Sequence, residues 1–335
     1  AVALPDQLQT DPIALLHALR SEVEAHGGTV AEHARVTAVR GRGPVEVTTE
    51  RGAARAGTVV VATNSPILDR GAHFARLAPQ RSYGLAFATT TPAVEEMYLS
   101  SDAPSRSLRD AVTDDGSPLL LVGGEGHPVG RERSPQERLD TLRSWTHEHF
   151  DVTAEVAAWS AQDYVPHHAL PFAGPVLPGR EDVLFAGGYS KWGMTNGVAA
   201  AHVLAGRLAG DLPPWSDVFA PWSGHEVSGL PTAAKINAEV GLAMTTGWLR
   251  PLTRSAEETP AEGEGRVGRD GLTPTAVSTS EGVTRRVSGV CTHLGGIVSW
   301  NDAERSWDCP LHGSRFDADG EVLEGVATCG LARRT

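Results

Sequence analysis

Residues 291–316 read CTHLGGIVSWNDAERSWDCPLHGSRF. Two mixed pairs stand in this stretch, Cys291-x-His293 and Cys309-x-x-His312, and they use two of the three cysteines in the chain. A thiol beside an imidazole, written twice, is a ligand set, and two metal readings fit it. One is a tetrahedral Cys₂His₂ zinc site, although zinc modules usually put both cysteines in one pair and both histidines in the other. The other is a centre of two irons bridged by sulfide, with two thiolates on one iron and two imidazoles on the other. That centre needs two loops, each giving one sulfur and one nitrogen, which is the order written here.

The rest of the chain sets the context. Its 335 residues allow two domains, and 40 % hydrophobic residues fill ordinary cores. A net charge of −12 makes nucleic acid and anionic membrane poor partners, because both repel it. Three cysteines make no disulfide framework, so a reduced, cytoplasmic setting is expected. No run of about 18 apolar residues exists, and the first residues, AVALPDQLQTDP, have no signal-peptide pattern. The absence of an initiator Met and the abrupt start suggest a piece of a longer protein.

Residues 11–26 predict a helix, with Asp11 as N-cap, Pro12 in the first turn and apolar residues Ile13, Leu16, Leu19 and Val23 at helical spacing. Residues 29–40 and 45–50 read as strands. The run TVVVAT (58–63) predicts a strand buried on both faces. Further strands are expected within 82–94 and 117–126, and a helix over 134–150 with Ser134 as N-cap. Residues 156–174 look irregular and proline-broken. Residues 183–210 read as strand, glycine turn and alanine-rich helix. A connector helix is expected at 231–249, and 255–270 reads as a polar linker or domain edge.

The segments CTHLG and CPLHGSRF resemble the Rieske [2Fe-2S] family, with fifteen residues between His293 and Cys309. The resemblance implies that Cys291, His293, Cys309 and His312 hold the cluster, and that Gly295 and Gly313 bring bare backbone close to sulfide. High-potential members of that family add a cysteine to each loop and join the loops by a disulfide. The matching positions are Gly296 and Leu311, which places this chain in the disulfide-free, low-potential class. Ser314 is a candidate hydrogen-bond donor to a cluster sulfur. Cys329 lies outside the motif and reads as an ordinary small residue.

Residues 1–222 resemble the C-terminal two thirds of the FAD-dependent D-amino-acid-oxidase-like family, which includes glycine and sarcosine oxidases. The resemblance rests on LPDQLQTDPIALLHALRSEVEAHGGTV, HARVTAVR, TVVVATNSPI and LFAGGYSKWGMTNGVAAAHVLAGRL. It implies an α/β (α+β) FAD-linked fold that lacks its N-terminal G-x-G-x-x-G part here. It implies cofactor contacts from Val36, Ala62, Thr63, Gly187, Gly188, Trp192, Gly193, Met194 and Thr195. Tyr83, Tyr164 and His168 are candidates on the substrate side. The turn before the helix near Thr195 also makes sense unaided, since free helix N–H groups suit an electron-rich ligand edge. The G-x-G-x-x-G at 263–268 follows no strand and opens no helix, and is read as a decoy. The pairs His147/His149 and His167/His168 have no carboxylate or cysteine at ligand spacing in the sequence, so packed or solvated histidines are expected.

The expected organisation is a flavoprotein domain (1–222), a connector (223–255) and a small all-β Rieske domain (256–335). The expected function is oxidation of a small amine or amino acid at FAD, with electrons relayed singly through a [2Fe-2S] cluster to an external acceptor. The alternative is a Rieske electron-transfer or regulatory protein whose flavoprotein-like domain is inactive.

Overall fold

The computed structural model describes residues 2–67 and 70–334. Helix α1 (Pro12–Ala25) starts where the Asp11 carboxylate accepts from the N–H groups of Ile13 and Ala14 at 2.8 and 3.2 Å. Its apolar stripe forms as expected but covers no core: Ile13, Leu16, Leu19 and Val23 are all exposed.

Strands β1 (Val36–Gly41), β2 (Val45–Thr49) and β3 (Gly52–Ala56) make an antiparallel meander. Residues 29–35, expected as the start of the first strand, are irregular; His33 takes a left-handed φ of 54° and breaks the extended path. Strand β4 (Val59–Asn64) follows. Strands β5 (Leu77–Ala88), β6 (Tyr98–Leu99), β7 (Arg106–Val112), β8 (Pro118–Pro128) and β9 (Ala154–Pro166) form one antiparallel sheet in the order β6-β7-β8-β5-β9. The expectation of irregular chain from 156 is corrected here: β9 pairs with β5 from Ala154 opposite Ala88 to Pro166 opposite Leu77. Long-range pairing decides, and Pro166 marks the end of the strand instead of breaking it. Helix α2 (Pro135–His149) is capped by the Ser134 hydroxyl and buries Leu139 and Leu142 against Tyr83, Leu85, Phe87 and Leu120 of that sheet.

Strands β10 (Phe172–Pro175) and β11 (Val183–Gly187) join β4 in the order β10-β11-β4, with β11 and β4 parallel. One face of β4 packs on the core, with Val61 5 % exposed, while the alternate face is open, with Val60 40 % exposed. The prediction of a strand covered on both faces therefore fails on one face. Helix α3 (Gly193–Ala209) lays Ala200, Val203 and Leu204 on Leu184 and Ala186 of β11 and ends at a left-handed Gly210.

Helix α4 (Leu230–Leu249) connects this region to the C-terminal one. Its residues Val240, Ala243 and Met244 pack on the C-terminal core, and its Asn237 amide donates back to the Ala75 carbonyl at 2.8 Å. The C-terminal region is all-β. Strands β12 (Gly265–Asp270), β13 (Thr273–Ser280) and β14 (Val283–Ser288) form one antiparallel sheet. Strands β15 (Ser299–Asn301), β16 (Ser306–Asp308), β17 (Arg315–Phe316) and β18 (Val322–Glu324) form a second. Trp307 and Phe316 are fully buried between them. The G-x-G-x-x-G at 263–268 runs into β12 and opens no helix. Among the described residues, no helix is long and apolar enough to cross a membrane.

His73 seals the core between β10 and β11. It is buried against the rings of Phe172 and Phe185. Its Nε2 donates to the Val176 carbonyl at 3.0 Å, and its Nδ1 accepts from the Arg76 guanidinium at 3.0 Å, which can only donate. Burial, and then the Arg76 charge, lower its pKa from 6.5 to about 4. The folded protein thus keeps this ring neutral, while the unfolded chain takes up a proton near 6.5. Its contribution is complete above that value and lost as pH falls through 6.5 towards 4. The loss amounts to roughly 3 kcal/mol. Urea unfolding between pH 7 and pH 4 is expected to show this acid loss, and His73→Gln is expected to flatten it.

Candidate metal centre

The two ligand loops share one backbone design. In the first, Cys291 N–H donates to Gly296 O at 2.8 Å, and Gly295 N–H returns to Cys291 O at 3.1 Å. In the second, Cys309 N–H donates to Ser314 O at 2.8 Å, and Gly313 N–H returns to Cys309 O at 3.1 Å. The returning residue is left-handed in both, with φ of 75° at Gly295 and 79° at Gly313, which explains the glycines. Positions 296 and 311 face each other: a Cβ on Gly296 would lie 2.6 Å from the Leu311 side chain. Leu311 fills the space between the loops.

Cys291 and Cys309 are each 2 % exposed and His312 is 4 % exposed, while His293 is partly exposed. The imidazole rings meet edge to face with centroids 5.1 Å apart. Both sulfurs sit among donors. Cys291 is pushed down to about 7 by the Cys309 thiol, by the N–H groups of His293 and Leu294, and by the Ser314 hydroxyl. Cys309 is pushed up, first because it donates to Cys291 and then by burial, and the N–H groups of Leu311 and His312 point at it. The pair thus favours negative charge on the Cys291 sulfur, with the Cys309 thiol donating to it.

One zinc ion would draw all four ligand atoms close together. Among the described residues, the group of His, Cys, Asp and Glu ligand atoms lying within 4.8 Å of one another is His167, His168 and Glu226, and the four motif residues form no such group. The two thiols contact each other and the two imidazole rings contact each other, a pairing that suits two irons. The residues present fit a [2Fe-2S] cluster.

The N-terminal region closes over the imidazole edge. Phe74 sets its ring edge-on to His293 and His312, with centroids 5.4 and 4.9 Å away. From β9, the Gln162 amide donates to Gly313 O at 2.8 Å and to the Tyr164 hydroxyl at 2.9 Å, and that hydroxyl donates to His312 O at 3.5 Å. From α4, the Trp248 indole donates to Gly295 O at 3.0 Å. Arg81, fully buried, reaches Asp308 at 3.9 Å. None of these partners is near the motif in sequence. Cys329 is exposed, and its carbonyl accepts from the Thr292 hydroxyl at 2.6 Å.

The residues expected at the flavin gather on the other side of β9. Ala62 and Thr63 end β4, and Trp192, Gly193, Met194 and Thr195 open α3; all six are exposed. Trp192 caps α3 with no side-chain bond, and while Thr195 N–H donates to the Trp192 carbonyl at 3.2 Å, the N–H groups of Gly193 and Met194 are left without a cap. An exposed helix N-terminus flanked by an aromatic and a thioether fits a flavin edge. Gly187 and Gly188 answer to the chain's own packing: a Cβ on Gly187 would strike the Asn64 carbonyl at 2.1 Å, and one on Gly188 would strike Pro166 at 2.6 Å. Asn64 ties this turn together, accepting from Gly188 N–H at 2.9 Å and donating to Asp163 at 2.7 Å. Val36 packs at the rim of the core around Leu77 and Phe185.

The substrate-side candidates are dispersed. Tyr83 is buried in the α2 core, its hydroxyl 3.0 Å from His127 Nε2. Tyr164 faces the second ligand loop. His168 bonds Glu226 at 2.9 Å. That bond corrects the expectation of no carboxylate beside His167 and His168: Glu226 joins them from 58 residues away. The trio is nevertheless a poor cation site. Glu226 already pairs with Arg76 at 2.5 Å. His168 Nδ1 accepts from Leu170 N–H at 3.2 Å, which puts the ring proton on the Nε2 that faces Glu226.

Comparison with known proteins agrees with this geometry. The family model described as FAD dependent oxidoreductase matches residues 1–207, and that of the Rieske [2Fe-2S] domain matches residues 254–332. YhfW of Bacillus subtilis strain 168, named as a Rieske 2Fe-2S iron-sulfur protein, is 34 % identical over 330 residues, 98 % of this chain and 64 % of its own length. The chain therefore spans less than two thirds of that relative. The iron-sulfur subunit of the cytochrome b6-f complex of Prochlorococcus marinus (strain SARG) is 32 % identical over 139 residues, 38 % of this chain and 68 % of the subunit. Glycine oxidase from Geobacillus kaustophilus shares the fold, with a TM-score of 0.52 at 18 % identity over 62 % of this chain and 57 % of its own.

Ser314 offers a clean test of the sulfur environment. Its hydroxyl accepts from Ala327 N–H at 3.1 Å and donates to Cys291. Removing a donor to a charged sulfur costs about 1.4 kcal/mol, or roughly 60 mV for a one-electron couple. Ser314→Ala is expected to keep its iron and sulfide while its midpoint potential falls by about that amount in a redox titration.

Proposed function

Since the chain belongs to the FAD-dependent oxidoreductase family and carries a Rieske [2Fe-2S] domain, we propose that it oxidises a small amine or amino acid at the flavin and relays the electrons singly through the cluster to an external acceptor. When bound, FAD takes a hydride equivalent from a carbon–hydrogen bond and the cluster carries one electron at a time. Cys291, His293, Cys309 and His312 are the proposed cluster ligands. The proposed organisation remains a flavoprotein domain (1–222), a connector (223–255) and a cluster domain (256–335).

One observation carries the relay reading: a single strand serves both sites. The Tyr164 carbonyl accepts from Ser190 N–H at 3.2 Å, in the turn that opens α3, and the Tyr164 hydroxyl reaches His312 O at 3.5 Å. Asp163 faces Asn64 and the flavin-side turn, while Gln162 faces Gly313. Side chains alternate across a strand, so β9 is a partition one strand thick. Phe74 packs edge-on against both imidazoles on that partition. Asn64 and Asp163 fix the turn, and Trp192 and Met194 offer an apolar wall to a flat ligand.

The test is anaerobic. Substrate added to the holoprotein is expected to bleach the flavin and then raise the EPR signal of the reduced cluster. A cluster that stays oxidised while the flavin bleaches sinks the relay. Tyr164→Phe and Phe74→Ala are expected to keep flavin reduction and to slow the appearance of the EPR signal by about tenfold or more, the effect of roughly 1.4 kcal/mol on a barrier.

A further inference from the structure

We propose that Trp159 and Lys191 form a substrate-recognition pair on the face of the β5/β8/β9 sheet opposite α2, and that they select an amino acid with an aromatic side chain by its ring and its carboxylate. This rests on the reading of flavin-linked oxidation and names the substrate class of the same site. Side chains alternate along β5, so Tyr83, Leu85 and Phe87 take the α2 side, and Ser82, Gly84 and Ala86 take the opposite side. Gly84 pairs with Trp159 of β9. A Cβ on Gly84 would lie 2.4 Å from Trp159 Cε2, so the indole crosses bare backbone, and Trp159 is 45 % exposed there. On β8 the register slips. Arg81 pairs with His127 and Tyr83 with Gly124, so Glu125 and Gly126 together face Ser82. Glu125 takes a left-handed φ of 53° and turns its carboxylate to Arg106 at 2.9 Å. Gly126 is left bare beneath Lys191: a Cβ there would lie 2.9 Å from the ammonium nitrogen.

The turn that carries Lys191 is held by its neighbours. Ser190 and Lys191 are consecutive left-handed residues, with φ of 52° and 69°, and neither is glycine. Such backbone persists only where its surroundings fix it. Here the Tyr164 carbonyl accepts from Ser190 N–H at 3.2 Å, and the Asp163 carboxylate accepts from Lys191 N–H. That carboxylate is committed further, to the Asn64 amide at 2.7 Å and to Tyr164 N–H at 2.6 Å. The Lys191 ammonium forms no ion pair or hydrogen bond among the described residues. Burial lowers its pKa, and the Asp163 charge offsets that only in part. An ammonium that has given up water without gaining an acceptor favours an anion. The two seats, Gly84 and Gly126, stand two residues along and one strand across, roughly 8 Å apart. An aromatic amino acid bridges that span, with its carboxylate at Lys191 and its ring on Trp159. Trp192 and Met194 follow in the same turn, which sets this face beside the flavin-side wall. A simple amine lacks the group that Lys191 answers.

Binding is measured on the oxidised holoprotein with phenylacetate, which keeps the ring and the carboxylate but has no amine to oxidise. Isothermal titration calorimetry is expected to show one site, with a matching perturbation of the flavin absorbance. Phenylacetamide, neutral and of the same shape, and acetate, without the ring, are each expected to bind at least about tenfold more weakly. Lys191→Met is expected to bring phenylacetate down to the level of phenylacetamide, and Trp159→Ala to weaken both ring compounds alike. No binding of phenylacetate, equal binding of phenylacetamide or acetate, or unchanged affinity in either variant each overturns the proposal. The wild-type comparison decides even where a variant loses its flavin. No electron moves in these titrations. A cluster that stays oxidised in the EPR test while phenylacetate binds refutes the relay alone, and a working relay without phenylacetate binding refutes this site alone.

Discussion

A guanidinium that cannot reach water holds the two regions in register. Arg81 is fully buried in β5. It donates to the Ser160 hydroxyl at 2.5 Å and to Gln162 Oε1 at 2.9 Å, and its charge meets Asp308 at 3.9 Å across the domain boundary. Asp308 is itself buried, bonded by Asn301 at 2.9 Å and Ser306 at 2.9 Å, and shared with Arg315 at 3.4 Å. Replacing Arg81 with a neutral residue would remove one of the two cations that face the buried Asp308, leaving Arg315 as the other. Asp308 immediately precedes the ligand Cys309. The same contact that docks the domain therefore fixes where the second ligand loop begins.

From that anchor the loop is held on all sides. Gln162 and Tyr164 take the carbonyls of Gly313 and His312, and Arg131 takes the carbonyl of Pro310 at 2.9 Å. Every carbonyl so engaged comes from the loop, and every donor from the N-terminal region. Gly130 lies against the same turn, where a Cβ would sit 2.7 Å from Pro310 N. The cluster domain is built to sit here, and its imidazole edge faces inward.

What the sequence revealed, and what it hid, follows from distance along the chain. The cluster motif was legible because each loop writes its pattern within five residues. The helix caps at Asp11 and Ser134 were legible for the same reason. The course of β9 was not: its proline read as a breaker, and only the long-range pairing with β5 makes it a strand. The exposed face of β4 was hidden because a short apolar run does not say which faces are covered. Phe74, Arg81, Gln162 and Trp248 gave no signal, being ordinary residue types whose roles come from long-range contact. Glu226 beside His168 escaped for the same reason.

The two edges of the proposed cluster are treated differently, and this asymmetry organises its surroundings. The imidazole side meets the Phe74 ring and the neutral groups of Tyr164 and Gln162, with His312 buried and His293 partly exposed. The sulfur edge meets backbone N–H groups, with the guanidinium of Arg131 beyond Pro310. Thiolates bring negative charge, and donors and cations placed near them offset it without a counter-charge on the nitrogen side.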